Sequence, residues 1–132
     1  MQYAPTLSRI GLIGLATQDY FSKVDAKDME AVLACFNDEA LFCVQTSFTR
    51  HAGKAEIRRM FEDFFSAWAT IVHKDFTCTV DEKNGRIAAS FEAVLTAADG
   101  SVTRLNNTNF WRLRDGKFQE VYVYMSGANV LV

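Results

Sequence analysis

The sequence predicts an α+β domain in which three N-terminal helices pack in the concave face of a curved, mostly antiparallel sheet. Three observations predict it. Apolar residues at helical spacing are confined to the first half of the chain. The second half holds four long β-prone runs. Between those runs stand Asn84-Gly85, Asp99-Gly100 and Asp115-Gly116, dipeptides that favour the tight turn of a β-hairpin. A meander of four strands results almost of necessity, and the chain reads as one domain over 1–132.

The helices come first. Over 8–24, Ile10, Ile13, Thr17, Tyr20 and Val24 recur at three- and four-residue steps and share a face. Gly11 and Gly14 weaken that helix and allow close packing. Asp25 is placed to cap a second helix over 26–36, with Met29, Val32, Leu33 and Phe36 as its apolar stripe. A short strand is expected over 40–46 and a loop over 49–53. The third helix runs from Lys54 to about Ala67 and presents Ile57, Met60, Phe61, Phe64 and Phe65 on one side.

The strands are expected over 72–82, 86–97, 101–113 and 117–129. Alternation assigns their faces. Phe76, Cys78 and Val80 share a side, as do Ile87, Ala89, Phe91, Ala93 and Leu95. His73 and Asp75, two apart, fall on the opposite side of their strand, away from the core; such a pair could be a general base with its orienter or two metal ligands, but the outward side favours a surface or interface role. On the last strand, Phe118, Glu120, Tyr122 and Tyr124 oppose Val121, Val123 and Met125. The third strand is unusual. Leu105, Asn107, Asn109, Trp111 and Leu113 share the inward side, which sets two amides in an apolar surface. A buried amide left unpaired costs about 1–3 kcal/mol. Such amides either pair with backbone, with each other or with water, or line a wet pocket that takes a ligand; two at alternate positions of one strand favour the pocket.

Composition narrows the partners. With 132 residues and 49% hydrophobic content the chain can bury a core without staples. The formal charge is −2 and the basic residues do not cluster, which argues against nucleic acid. Cys35, Cys43 and Cys78 are odd in number and form no Cys-x-x-Cys pair. That fits free thiols in a reducing compartment, and the expected location is cytoplasmic. The run 9–16 (RIGLIGLA) is too short to span a bilayer and lacks a cleavage site after it. It reads as the buried start of a helix. Neither a membrane partner nor a cofactor is expected, and two histidines without a carboxylate cluster give no metal-site spacing. No Ser-His-Asp order, P-loop or dinucleotide fingerprint occurs.

The order of three helices and a long meander resembles the nuclear transport factor 2-like superfamily. That group includes SnoaL-like polyketide cyclases, scytalone dehydratase, limonene epoxide hydrolase and ketosteroid isomerase. The stretch 20–42 (YFSKVDAKDMEAVLACFNDEALF) is similar to the isomerase pattern of helix, Asp, helix, Phe, Asp and strand. The stretch 53–61 (GKAEIRRMF) resembles the start of its third helix, and 109–129 matches its last two strands apart from a shorter turn. The resemblance covers nearly the whole chain and implies a cystatin-like cone with a small-molecule pocket. In the isomerase a carboxylate moves a proton beside a carbonyl, while a tyrosine and a protonated aspartic acid hold the oxyanion. Carried over, the oxyanion tyrosine falls on Tyr20 and the protonated acid on Asn109. The base falls on Val44, which cannot take a proton, and the supporting second tyrosine falls near Phe61. The resemblance therefore implies an oxygen-binding side without the usual proton-moving side, and no ketosteroid isomerase of the usual mechanism.

Tyr20, Asn109 and His51 are thus the candidate catalytic groups. His51, in the expected loop, could reach in as a replacement base or simply be solvated. Val44, Phe61, Phe91, Asn107, Trp111 and Met125 are the candidate ligand-binding residues. Three functions stay open. One is a cofactor-free isomerase, lyase, cyclase or hydrolase acting on a small apolar carbonyl or hydroxyl compound. The second is a binding module without chemistry, and the third an interaction subunit whose cavity its own side chains fill. Phe110, Tyr122 and Tyr124 share the outward face, and aromatic residues there mark an interface. The superfamily commonly dimerises through that face, so a homodimer is expected.

Overall fold

The structure, a computed structural model, describes residues 6–132. Ser8 starts the first helix, its hydroxyl accepting from the Gly11 N–H at 3.2 Å. The rod then runs on through α1 (Arg9–Ile13), a π-helical segment (Gly14–Asp19) and α2 (Tyr20–Asp25). Across the π segment the Tyr20 N–H donates to the Leu15 carbonyl, five residues back. The wider turn shifts the phase of the helix. Its buried face is Leu12, Ala16, Thr17, Tyr20, Phe21 and Val24, and the expected face member Ile10 is 83% exposed.

The second helix differs from expectation. Asp25 ends α2 instead of capping the next helix. Lys27 turns the chain at φ 57°, and Asp28 caps a short α3 (Met29–Leu33) by accepting from the Ala31 N–H at 3.2 Å. Phe36, expected at a helix end, opens β1 (Phe36–Val44) instead. It is fully buried there, so its apolar character suited either state. β2 (Thr49–Ala52) replaces the expected loop and pairs antiparallel with β1. α4 (Lys54–Ala67) comes next as expected, burying Ile57, Met60, Phe61 and Phe64.

The meander is β3 (Thr70–Asp81), β4 (Arg86–Thr96), β5 (Val102–Arg114) and β6 (Lys117–Tyr124). Its turns are where the dipeptides put them, and Gly85, Gly100 and Gly116 all have positive φ. The sheet order is β2-β1-β6-β5-β4-β3. β1 runs parallel to β6, and all other pairs are antiparallel. One core, built from the helices and the inner sheet face, fills the space between them.

Two irregularities overturn the simple alternation. Between Lys74 and Thr77, β3 holds one residue more than β4 opposite. This is a β-bulge, with Asp75 at φ 61°. An extra residue moves every side chain before it to the other face. Phe76, Cys78 and Val80 face inward as expected, but Ile71 and His73 face inward too, while Asp75 stays exposed. His73 therefore does not share a face with Asp75 and is not a surface residue. A second shift falls between Arg112 and Leu113, against Glu120 and Phe118. It turns Phe118 into the core at 0% exposure, away from the outward set of Glu120, Tyr122 and Tyr124.

Candidate functional site

Inward residues of β5 are about 7 Å apart along the strand. Leu105, Asn107 and Asn109 thus line the cavity in succession along the strand. Across the ladder, Asn107 faces Phe91, while Asn109 sits between Ala89 and Val123. The small Ala89 on β4 leaves space beside Asn109. Asn107 is 7% exposed and Asn109 3%, and neither amide oxygen has a hydrogen-bond partner. At about 1–3 kcal/mol for each unpaired group, this is a cost that a ligand or water in the cavity relieves.

Tyr20, Phe61, Phe91, Asn107, Asn109 and Met125 line one cavity together. Phe21, Phe64 and the strap residues Val130 and Leu131 complete its apolar wall. The void measures about 30 Å³, room for one or two waters. Burial is the main reason that the Tyr20 phenol lies well above its usual pKa; Cys35 and the nearby Asp25 carboxylate add to it. Tyr20 is therefore a neutral hydroxyl, able to donate. Its ring is fixed edge-on to Phe36, Phe61, Trp111 and Phe118.

The bulge adds a group that strand alternation conceals. His73 lines the same cavity. Its Nδ1 lies 2.6 Å from Asp25 Oδ1, and its backbone N–H donates to Asp25 Oδ2 at 2.9 Å. The imidazole stacks on Phe21 with 4.4 Å between ring centres and meets Phe91 edge-on at 5.6 Å. Its side chain is 8% exposed. A carboxylate accepting from Nδ1 leaves Nε2 as the acceptor nitrogen. That is the arrangement of a general base and its orienting acid. Helix and strand build it together: α2 ends on Asp25, and the bulge turns His73 toward it. One signal in the sequence points to the bulge. Ile71 and Phe76 are five apart, so a regular strand could not bury both.

Three of the candidates lie elsewhere. Val44 and Trp111 are buried in the core but do not line the cavity. The Trp111 Nε1 is unpartnered, and its ring stacks on Phe118 with centres 5.8 Å apart. His51 is on β2, not on a loop, and is 2% exposed. Both its nitrogens are engaged: Nδ1 accepts from Arg59 Nη2 at 3.2 Å, and Nε2 donates to the Leu131 carbonyl at 2.9 Å. It is neither solvated nor directed at the cavity.

On the outer sheet face, a groove of about 580 Å³ runs past Phe110, Arg112, Glu120, Tyr122 and Tyr124. Glu120 accepts from Tyr122 Oη at 2.6 Å and from Arg112 Nη1 at 2.8 Å. Burial raises the Glu120 carboxyl, but Tyr122 and Arg112 outweigh it and hold it below its usual pKa. Burial first, then Glu120, pushes Tyr122 up to about 12. Among the described residues, no three His, Cys, Asp or Glu side chains gather in a metal-like group, and no helix is long and apolar enough to cross a membrane.

The structure is similar to several solved proteins. SalBIII, an epoxide hydrolase/cyclase-like enzyme with a role in pyran ring formation in polyether salinomycin, superposes with a TM-score of 0.79 at 17% identity. That match covers 90% of this chain and 93% of the other. PrhC from Penicillium brasilianum gives 0.79 at 21% identity, covering 89% and 82%. A candidate polyketide cyclase from Xanthomonas campestris pv. campestris gives 0.75 at 21% identity, covering 88% and 90%. At these identities the likeness is one of fold. No curated protein matches the chain in sequence. The pattern of the SnoaL-like domain does match it over residues 17–121, from the π segment to the middle of β6. The chain thus belongs to the SnoaL-like domain family of the nuclear transport factor 2-like superfamily.

Proposed function

We propose that the chain is a cofactor-free acid–base enzyme of the isomerase, lyase, cyclase or hydrolase kind, acting on a small apolar compound that bears a carbonyl or hydroxyl. The observation that carries this reading is the Asp25–His73 pair on the wall of a cavity that also holds Tyr20, Asn107 and Asn109. His73 Nε2 takes a proton from the substrate. Asp25 keeps the imidazole in that tautomer and stabilises the imidazolium that forms. Tyr20 and the amides hold the oxygen on which charge develops, in surroundings dry enough to make each hydrogen bond count. The base is then a histidine on β3, and the valine at the family's carboxylate position costs no function. Proteins of similar fold include an epoxide hydrolase/cyclase-like enzyme, which supports this class of chemistry.

Proton abstraction can be read without knowing the product. Small aromatic and alicyclic ketones are incubated with the protein in D2O, and deuterium uptake beside the carbonyl is followed by NMR. His73→Gln is expected to slow uptake by about 10²- to 10⁴-fold, the usual contribution of a positioned base. Uptake that is absent, or unchanged in the variant, refutes the proposal.

A second reading is supported by the size of the void. About 30 Å³ admits no ring, as in a binding or interaction module filled by its own side chains. Native mass spectrometry of the purified protein separates the two: a co-purified small molecule speaks against a filled cavity.

The outer face suits a second copy of the chain. Phe110 and Tyr124 pair edge-on at 5.8 Å while 46% and 47% exposed. The charged residues along the groove are Asp81, Arg86, Arg112 and Glu120, two of each sign. A two-fold contact sets a face against itself, and a balanced face does so without net repulsion.

A further inference from the structure

The cavity holds a void of only about 30 Å³, so a wall must move before any ring-sized molecule enters. Its walls are not equal. The β4–β5 ladder pairs without interruption from Arg86–Arg112 to Thr96–Val102, and Tyr20, Phe61 and Phe91 are each at most 5% exposed within the core. The strap that succeeds β6, residues 126–132, has no regular secondary structure. It nevertheless lays Val130 and Leu131 over the void.

That strap is held by side chains instead of a ladder. Asn129 Nδ2 donates to Ser47 Oγ at 2.8 Å and to Thr49 Oγ1 at 3.1 Å. His51 Nε2 donates to the Leu131 carbonyl, and Arg59 Nη2 donates to the Val132 carbonyl at 3.3 Å. Arg59 also donates to His51 Nδ1, so the guanidinium fixes the tautomer that fastens Leu131. The acidic partner of Arg59 is Asp63, at 2.7 Å one turn along α4. This gives a use to a buried histidine outside the cavity. Gly127 lets the strap lie close to the wall: a Cβ there would come within 2.8 Å of Leu105 Cδ2.

We propose that strap 126–132 is the gate of the cavity and that His51 and Arg59 are its latch. The proposal rests on the reading of the cavity as a ligand site, but its test does not. Met125 lines the cavity beneath the strap. In a Met125→Cys background, alkylation at position 125 by N-ethylmaleimide is timed by peptide mass, with native Cys35, 5% exposed in the core, as the internal control. Arg59→Gln is then added; the Arg59 side chain is 51% exposed, so the fold tolerates the change. Labelling at 125 is expected to quicken about tenfold, the factor that a loss of ~1.4 kcal/mol of hydrogen bonding gives, with Cys35 unchanged. An unchanged rate at 125, or an equal rise at both positions, overturns the gate. In parallel, 2-naphthol binding is followed by its fluorescence in the unlabelled protein. Faster labelling at 125 without naphthol binding keeps the gate and removes the ligand site.

Discussion

Asn107 and Asn109 set two amides into a wall that would be more stable if it were apolar throughout. Replacing Asn109 with leucine removes an unpaired buried group and fills part of the void. It is expected to raise stability by about 1 kcal/mol, or about 3–5 °C in Tm, while abolishing ligand binding. Calorimetry checks this; a lower Tm would mean that the amide was satisfied in the folded state. Tyr20 lends itself to a cleaner change. Its ring is held by edge contacts to four aromatic residues, so Tyr20→Phe keeps the packing and removes only the hydroxyl. Affinity for an oxygen-bearing ligand should fall about tenfold, as the loss of one hydrogen bond implies, with Tm unchanged. Because burial raises the Tyr20 pKa above the unfolded value of 10.0, its contribution to stability is complete below pH 10 and is lost as the pH climbs further. A pH–stability curve of Tyr20→Phe should therefore fall less steeply on that side. The inward position of both amides was legible in the sequence, because alternation on β5 is unbroken. His73 was not, because the residue that reorients it is two positions away and exposed.

At the scale of elements, the bulge in β3 does the most. It buries Ile71 and His73 on the same face as Phe76, which a regular strand cannot do. Deleting Asp75 removes the extra residue and restores simple pairing. Either the start of β3 turns over, exposing Ile71 and His73, or the downstream half does. The expected outcome is loss of the Asp25–His73 contact and a drop in stability of about 2–4 kcal/mol, comparable to the loss of one large core side chain. Deuterium uptake by a ketone reads the loss of the contact, and denaturant unfolding reads the drop in stability. Substituting glycine for Asp75 is the control, since φ 61° suits glycine and the bulge survives. The π segment has a parallel effect on the helical side. It ends just before Tyr20 and Phe21, both buried, with Phe21 stacked on the imidazole and Tyr20 on the cavity wall. The sequence carries no periodic sign of this, since helical spacing is scored on 3.6 residues per turn.

For the whole molecule, two expectations are open to measurement. If a second copy covers the outer face, sedimentation should show a dimer. Phe110→Glu should then give monomers, as it places a charge opposite its own copy. A monomeric parent protein would discard the interface. The same face also carries a pH dependence. Glu120 is held below its ordinary pKa of 4.5, so the unfolded chain binds this proton more readily than the folded one. The stabilisation is present above pH 4.5 and is lost as the pH falls through the folded value. Glu120→Gln should flatten the acid limb of the stability curve, as followed by circular dichroism.

The sequence by itself determined the α+β class, the third helix, the hairpin turns and the polar stripe on β5. Each of these depends on short-range chemistry: periodicity along one element, or a turn that only glycine with asparagine or aspartate closes easily. The cavity's edges belong to the tertiary structure. Asp25 and His73 lie 48 residues apart and meet through a helix end and a bulge. His51 and Leu131 lie 80 residues apart and meet through a strap. A one-residue insertion in a strand, or a wide turn in a helix, costs little locally and is stabilised by what it brings into contact. The residues that make up those contacts are distant in sequence, so only the folded chain could show that the two amides share a cavity with a histidine.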